Sequence, residues 1–137
     1  MEFEGEYLNG RRHGKGRKYF GDGKLKFEGE YLNGEKNGKG KEYNNKGILI
    51  FDGEYLYNYQ FKGKKCINGK LEYEGEYLFN EKWNGKGYDE NGNIIYELNN
   101  GNGKVKEYYY NEILKYEGEY LNRKKMEKEK NMMIMVN

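Results

Sequence analysis

Phe3-Glu4-Gly5-Glu6-Tyr7-Leu8-Asn9-Gly10, followed by His13-Gly14-Lys15-Gly16, is the stretch on which the fold turns. From Phe3 to Leu8, aromatic or small residues alternate with charge, the period of a half-exposed strand. Phe3, Gly5 and Tyr7 share one face; Glu4, Glu6 and Leu8 share the other. Asn9-Gly10 then reverses the chain, because both residue types tolerate positive φ. A return strand follows through Lys15, Arg17 and Tyr19, Gly21-Asp22-Gly23 turns again, and Leu25 opens a second copy.

The pattern recurs. Gly-Glu-Tyr-Leu starts at Gly5, Gly29, Gly53, Gly75 and Gly118, each time two residues after Phe3, Phe27, Phe51, Tyr73 or Tyr116. The intervals are 24, 24, 22 and 43 residues, and the last holds a degenerate copy at Tyr96, where Glu97-Leu98-Asn99 replaces Gly-Glu-Tyr. Such a period marks a repeat array whose stacked units share one continuous core. Asn68-Gly69 fits a tight type I′ turn and accounts for part of the third unit's two-residue deficit. Asn91-Gly92 and the run Asn99-Asn100-Gly101-Asn102-Gly103 reverse the chain before Ile94 and Val105. The expectation is an all-β fold: an elongated, twisted, single-layer antiparallel meander of about 10 to 12 strands.

Glycine between two aromatics has a packing logic. A ring from a neighbouring strand can lie over the bare backbone, and repetition stacks Phe3, Tyr7, Phe27, Tyr31, Phe51, Tyr55, Tyr73, Tyr77, Tyr116 and Tyr120 into a ladder. That ladder stands in for a core, or also forms a groove for a partner peptide or helix. Glu4, Glu6, Glu28 and Glu30 fall on first strands and Arg17, Lys18, Lys39 and Lys41 on return strands, so hairpin pairing sets opposite charges side by side. Arg11, Arg12, His13 and Lys15 form a basic group at the first turn, with anionic lipid headgroups as its alternative use.

Composition narrows the function. Lys+Arg number 25 against Asp+Glu 23, a balance that argues against nucleic acid as a partner. Leu, Ile, Val and Phe number only 25, but aromatics reach 17% and the glycines fall at fixed positions, which favours order over disorder. The chain has no Ala, Pro, Ser or Thr, and one each of Cys, His and Trp. There is thus no Ser or Thr nucleophile and no structural zinc set, and neither metal nor other cofactor is expected. Cys66 and His13 lie two repeats apart, and each reads as a packing or turn residue. Paired carboxylates such as Glu4 and Glu6 recur in every good unit, unlike a glycosidase pair. Gly14-Lys15-Gly16 lacks the Lys-Ser/Thr of a phosphate loop. A non-enzyme is expected. The single cysteine suits a reducing, cytoplasmic setting, and Met1 leading straight into the pattern leaves no signal peptide to expect. Mean hydropathy of -1.27 without a long apolar run argues against a transmembrane helix.

The arrangement of Phe3, Gly5, Tyr7, Asn9-Gly10, Gly14 and Gly16 resembles the membrane occupation and recognition nexus (MORN) repeat, an aromatic-x-Gly-x-aromatic strand, an Asn-Gly turn and a Gly-x-Gly return strand. Phe27, Gly29, Tyr31, Asn33-Gly34, Gly38 and Gly40 resemble it equally well, and the likeness weakens toward residue 122. Tyr stands where that family often has Trp. The resemblance implies a scaffold that binds a protein partner through its aromatic face or sheet edges. It also carries two alternatives, peripheral binding to an acidic phospholipid membrane surface and an inhibitor or antitoxin role. Residues 1–121 read as the array and 122–137 as a charged, then Met-rich, cap or tail, as a short helix or an extended or frayed segment. A sheet edge or that segment offers a route to a homodimer.

Overall fold

A computed structural model describes residues 2–108, 114–121 and 124–125, the last two by backbone alone. Among these residues twelve strands follow one another: β1 Phe3–Leu8, β2 Arg11–Tyr19, β3 Leu25–Leu32, β4 Glu35–Tyr43, β5 Leu49–Leu56, β6 Tyr59–Ile67, β7 Lys70–Leu78, β8 Glu81–Tyr88, β9 Ile94–Leu98, β10 Gly103–Tyr108, β11 Leu114–Leu121 and β12 Lys124–Lys125. β1 to β9 form one open antiparallel meander in sequence order, and β10 to β12 form a second sheet. Apart from Lys124–Lys125, the segment expected to cap the array lies outside the described residues.

Register explains why glycine recurs. Gly5, Gly16, Gly29, Gly40, Gly53, Gly63, Gly75 and Gly85 pair in succession across eight strands. A Cβ on Gly16 would stand 2.6 Å from the Phe3 ring and 3.1 Å from that of Tyr31; on Gly40 it would meet Phe27 at 2.6 Å and Tyr55 at 2.9 Å. Rings therefore do lie over bare backbone. They touch edge to face in an unbroken run, with centroid separations of 5.6 Å for Phe3–Tyr7, 5.3 Å for Phe3–Tyr31, 5.7 Å for Phe27–Tyr31 and 5.3 Å for Phe27–Tyr55. The run continues edge to face through Phe51, Tyr77 and Tyr73, and Tyr73 stacks on Tyr96. Each such pair contributes about 0.5 to 1.5 kcal/mol beyond its buried area, so the sum over the row supplies what a second layer would.

The other face is a charge ladder. Glu4, Arg17, Glu28, Lys41, Asp52, Lys64, Glu74, Lys86 and Glu97 are cross-strand neighbours in that order, alternating in sign across all nine strands. Arg17 lies 3.9 Å from Glu4 and 3.3 Å from Glu28. Exposed pairs are worth little singly. Their alternation fixes which strands may neighbour which, since like charges placed opposite one another are destabilising.

Turns at one long edge use positive φ at two residues, as in Asn9 (53°) with Gly10 (79°) and Asn33 (51°) with Gly34 (86°). Tyr57-Asn58 and Phe79-Asn80 take the same place, and the Asn58 and Asn80 side chains accept the backbone N–H of Lys36 and Gln60 in the preceding hairpin. The third unit's deficit has two sources. One is the Asn68-Gly69 turn; the other is its hairpin bulge, where only Phe61 is extra, against the two extra residues in the first units. His13 lies within the β2 bulge and not at a turn, because β2 already begins at Arg11.

Two sequence expectations need correction at the far end. Register places Leu98, not Glu97, opposite Gly85 at the glycine position. Leu98 is 1% exposed, so a side chain fills the space that the glycine row leaves empty, and the single-layer sheet ends with that strand. The array is therefore not one layer throughout. β10 and β11 turn Val105, Glu107, Tyr116 and Tyr120 into the same buried cluster as Tyr73, Tyr77, Tyr96 and Leu98.

Candidate functional site

Of the ten aromatics singled out from the sequence, eight are buried to 5% exposure or less; Phe3 is half-buried and Tyr7 is exposed. The structure brings the rows of the first four units together, with Tyr116 and Tyr120 packed beside them in the second sheet. A molecule approaching this face meets the long side chains above the rings. Those side chains recur. Five residues past each repeat tyrosine stand Arg12, Lys36, Gln60 and Lys82, each the cross-strand partner of that tyrosine. The Arg12 guanidinium lies 4.1 Å from the Phe3 centroid, and the ammonium groups of Lys36 and Lys82 lie 4.3 Å and 5.0 Å from those of Phe27 and Tyr73. Such contacts stabilise by about 0.5 to 2 kcal/mol, more as the cation loses water.

Chemistry concentrates around Lys82. Its ammonium donates to Glu72 at 2.8 Å, to the Tyr96 hydroxyl oxygen at 2.8 Å and to Glu107 of β10. The Tyr120 hydroxyl donates to Glu107 at 3.0 Å. Burial disfavours the charged ammonium, but Glu72 and Glu107 outweigh it and hold the Lys82 pKa above the ordinary range. Burial acts on the Glu107 carboxyl too, yet Lys82 prevails and keeps its pKa below the usual value. This network was not singled out from the sequence. Its signal was the basic residue at a fixed distance from each repeat tyrosine, which the alternation of surface charge obscured.

Lys36 differs. Burial pushes its pKa down, Glu42 at 4.0 Å counters, and Lys18 and Lys26 push it down further. Glu42 also accepts from the Tyr55 hydroxyl. In units two and four Lys18 and Lys65 hold the register place that Glu42 holds beside Tyr55, and the hydroxyls of Tyr31 and Tyr77 are buried with no hydrogen-bond partner among the described residues.

The basic group expected at the first turn is divided. Arg12 turns onto the aromatic face, whereas Lys15 pairs with Glu30 on the charged face and its N–H donates to Glu6 at 2.9 Å. Arg11 pairs with Leu8 at the hairpin end, and His13 sits in the bulge between. Cys66 takes the strand place that Tyr19, Tyr43 and Tyr88 take elsewhere, and burial raises its thiol pKa. Cys66 on β6 and His13 on β2 are four strand spacings apart, about 19 Å. Among the described residues no three potential metal-binding side chains come together.

Residues 3–24 and 27–48 match the model of the MORN repeat. The chain carries MORN repeats. Their first strands and returns are the β1–β2 and β3–β4 hairpins, with Gly16 and Gly40 under the rings. MORN repeats generally act in protein or membrane interaction and are generally non-catalytic. No curated protein matches the chain.

Proposed function

We propose that this MORN-repeat chain is a non-catalytic interaction module that receives a protein partner on its aromatic side, across β1 to β6. One contrast carries the reading. Around Lys82 the side chains above the rings are covered by the second sheet, while Arg12, Lys18 and Lys36 are each part-exposed and Tyr7 is 59% exposed. The opposite face offers a partner less, because its charges already alternate and satisfy one another. Catalysis finds little support in a thiol held protonated by burial and far from the lone histidine.

Photo-crosslinking tests it. A benzophenone side chain at Tyr7 reports on the aromatic side and one at Lys41 on the charged side. Introduced into the chain within its own cells, the first is expected to capture a discrete protein and the second not. Adducts from Lys41 alone would place the contact on the wrong face and refute the reading.

A further inference from the structure

The repeats let one unit serve as a template for another. In unit four, β7–β8, Lys82 over Tyr73 is met by Glu72 from its own unit and by Glu107 from β10. In unit two, β3–β4, Lys36 sits over Phe27 in the same way. Register puts Lys26 where unit four has Glu72, and Lys18 where it has Lys65. Lys36 thus feels two further ammonium groups, Lys18 and Lys26, against one carboxylate, Glu42 at 4.0 Å, which already accepts from the Tyr55 hydroxyl. One hairpin earlier, Arg12 lies over Phe3 and 5.9 Å from the Tyr31 ring centroid. The Tyr31 hydroxyl beside it is buried, in a residue 5% exposed, with no partner among the described residues. A buried donor left unmatched is costly, and a carboxylate is a ready acceptor for it.

We infer that Arg12, Lys18, Lys36 and the Tyr31 hydroxyl form a receptor for the carboxylates of an acidic segment of a protein partner. One Glu or Asp of that segment reaches Lys36 as Glu107 reaches Lys82; another accepts from Tyr31 beside Arg12. A lipid headgroup fits less well. Lys36 and Glu42 are only 25% and 27% exposed and the hydroxyl is buried, so the anion must enter as a side chain does. The inference rests on the aromatic-side reading above and names the chemistry of its partner.

The test is selection of random peptides on the intact chain. Gln60 already occupies the Lys36 position in the third unit, so Arg12→Gln and Lys36→Gln are tolerated by the fold. Peptides enriched in Asp and Glu are expected, binding about tenfold or more tightly than their Asn and Gln counterparts. The double Arg12→Gln, Lys36→Gln variant should lose that preference, and Tyr31→Phe should weaken acidic peptides several-fold with its circular dichroism unchanged. Selection without acidic enrichment, or a preference that survives the double variant, overturns the inference. So does binding, dependent on Arg12 and Lys36, that occurs only to phosphatidylserine vesicles or only to a second copy of the chain. Non-acidic peptides that block crosslinking from Tyr7 would sink this inference alone. Peptides that leave that crosslinking untouched and block it from Lys41 would sink the face itself.

Discussion

The ammonium of Lys82 and the carboxylate of Glu72 meet at 2.8 Å with 5% and 6% of their side chains exposed, and Glu107 of the second sheet closes over them. This is the polar lock between the two sheets. A buried ion pair adds little over a well-packed apolar pair, but removing one member strands the other. Lys82→Met leaves two carboxylates buried without their cation, and we expect a loss of about 3 to 5 kcal/mol in urea unfolding. A variant as stable as the parent would show that the sheets are held by Leu98, Val105 and the tyrosines alone.

The same lock titrates in acid. Glu107 has its folded pKa below the ordinary value of 4.5, because Lys82 outweighs the burial that acts the other way. A depressed carboxylate stabilises fully above its unfolded pKa, and that contribution disappears as pH falls through the folded value. Stability should therefore hold near neutrality and fall as pH drops below about 4.5. Denaturant midpoints measured down the acid range should show a shallower decline in Glu107→Gln than in the parent.

How much was legible beforehand follows from which forces are local. The glycine row, the strand order and the face shared by Phe3 and Tyr7 were readable, because alternation and turn chemistry are written in adjacent residues. The break after β9 was not. Leu98 disrupts the glycine register only through its pairing with Gly85, thirteen residues earlier, and the turn signals around it look ordinary. The burial of Lys82 was likewise hidden, since lysine is a surface residue everywhere that no second sheet arrives to cover it. The aromatics, read as a stand-in for a core or also as a partner groove, are mostly buried, because a ribbon without a second layer must bury its rings within its own repeat.

Glycine under a ring should be irreplaceable, and glycine in open turns should not. Gly40→Ala would put a Cβ 2.6 Å from Phe27 and 2.9 Å from Tyr55, both locked in the ladder. Overpacking of this kind costs about 1 to 3 kcal/mol. Gly21→Ala meets nothing within 4 Å and needs no positive φ, so its unfolding midpoint should stay close to the parent's. Equal effects from the two substitutions would remove the ring-over-glycine account of the repeat.

The hairpin edge carries strain that substitution can relieve. Tyr57 has φ of 50° at the place where Asn9 and Asn33 have 53° and 51°, and its ring is 63% exposed. A bulky side chain in the left-handed region costs about 1 to 2 kcal/mol, whereas asparagine offsets much of this through local hydrogen bonding. Tyr57→Asn should therefore stabilise by about 1 kcal/mol and raise the melting temperature by a few degrees, even though it deletes an aromatic ring. Phe79 shares the strained geometry, with φ of 51°, but packs edge to face on Tyr59 at 5.4 Å. Phe79→Asn forfeits that contact while gaining the same relief, so its net change should be smaller or opposite in sign. A lower melting temperature for Tyr57→Asn would mean that the exposed ring contributes more to the free chain than its turn conformation costs.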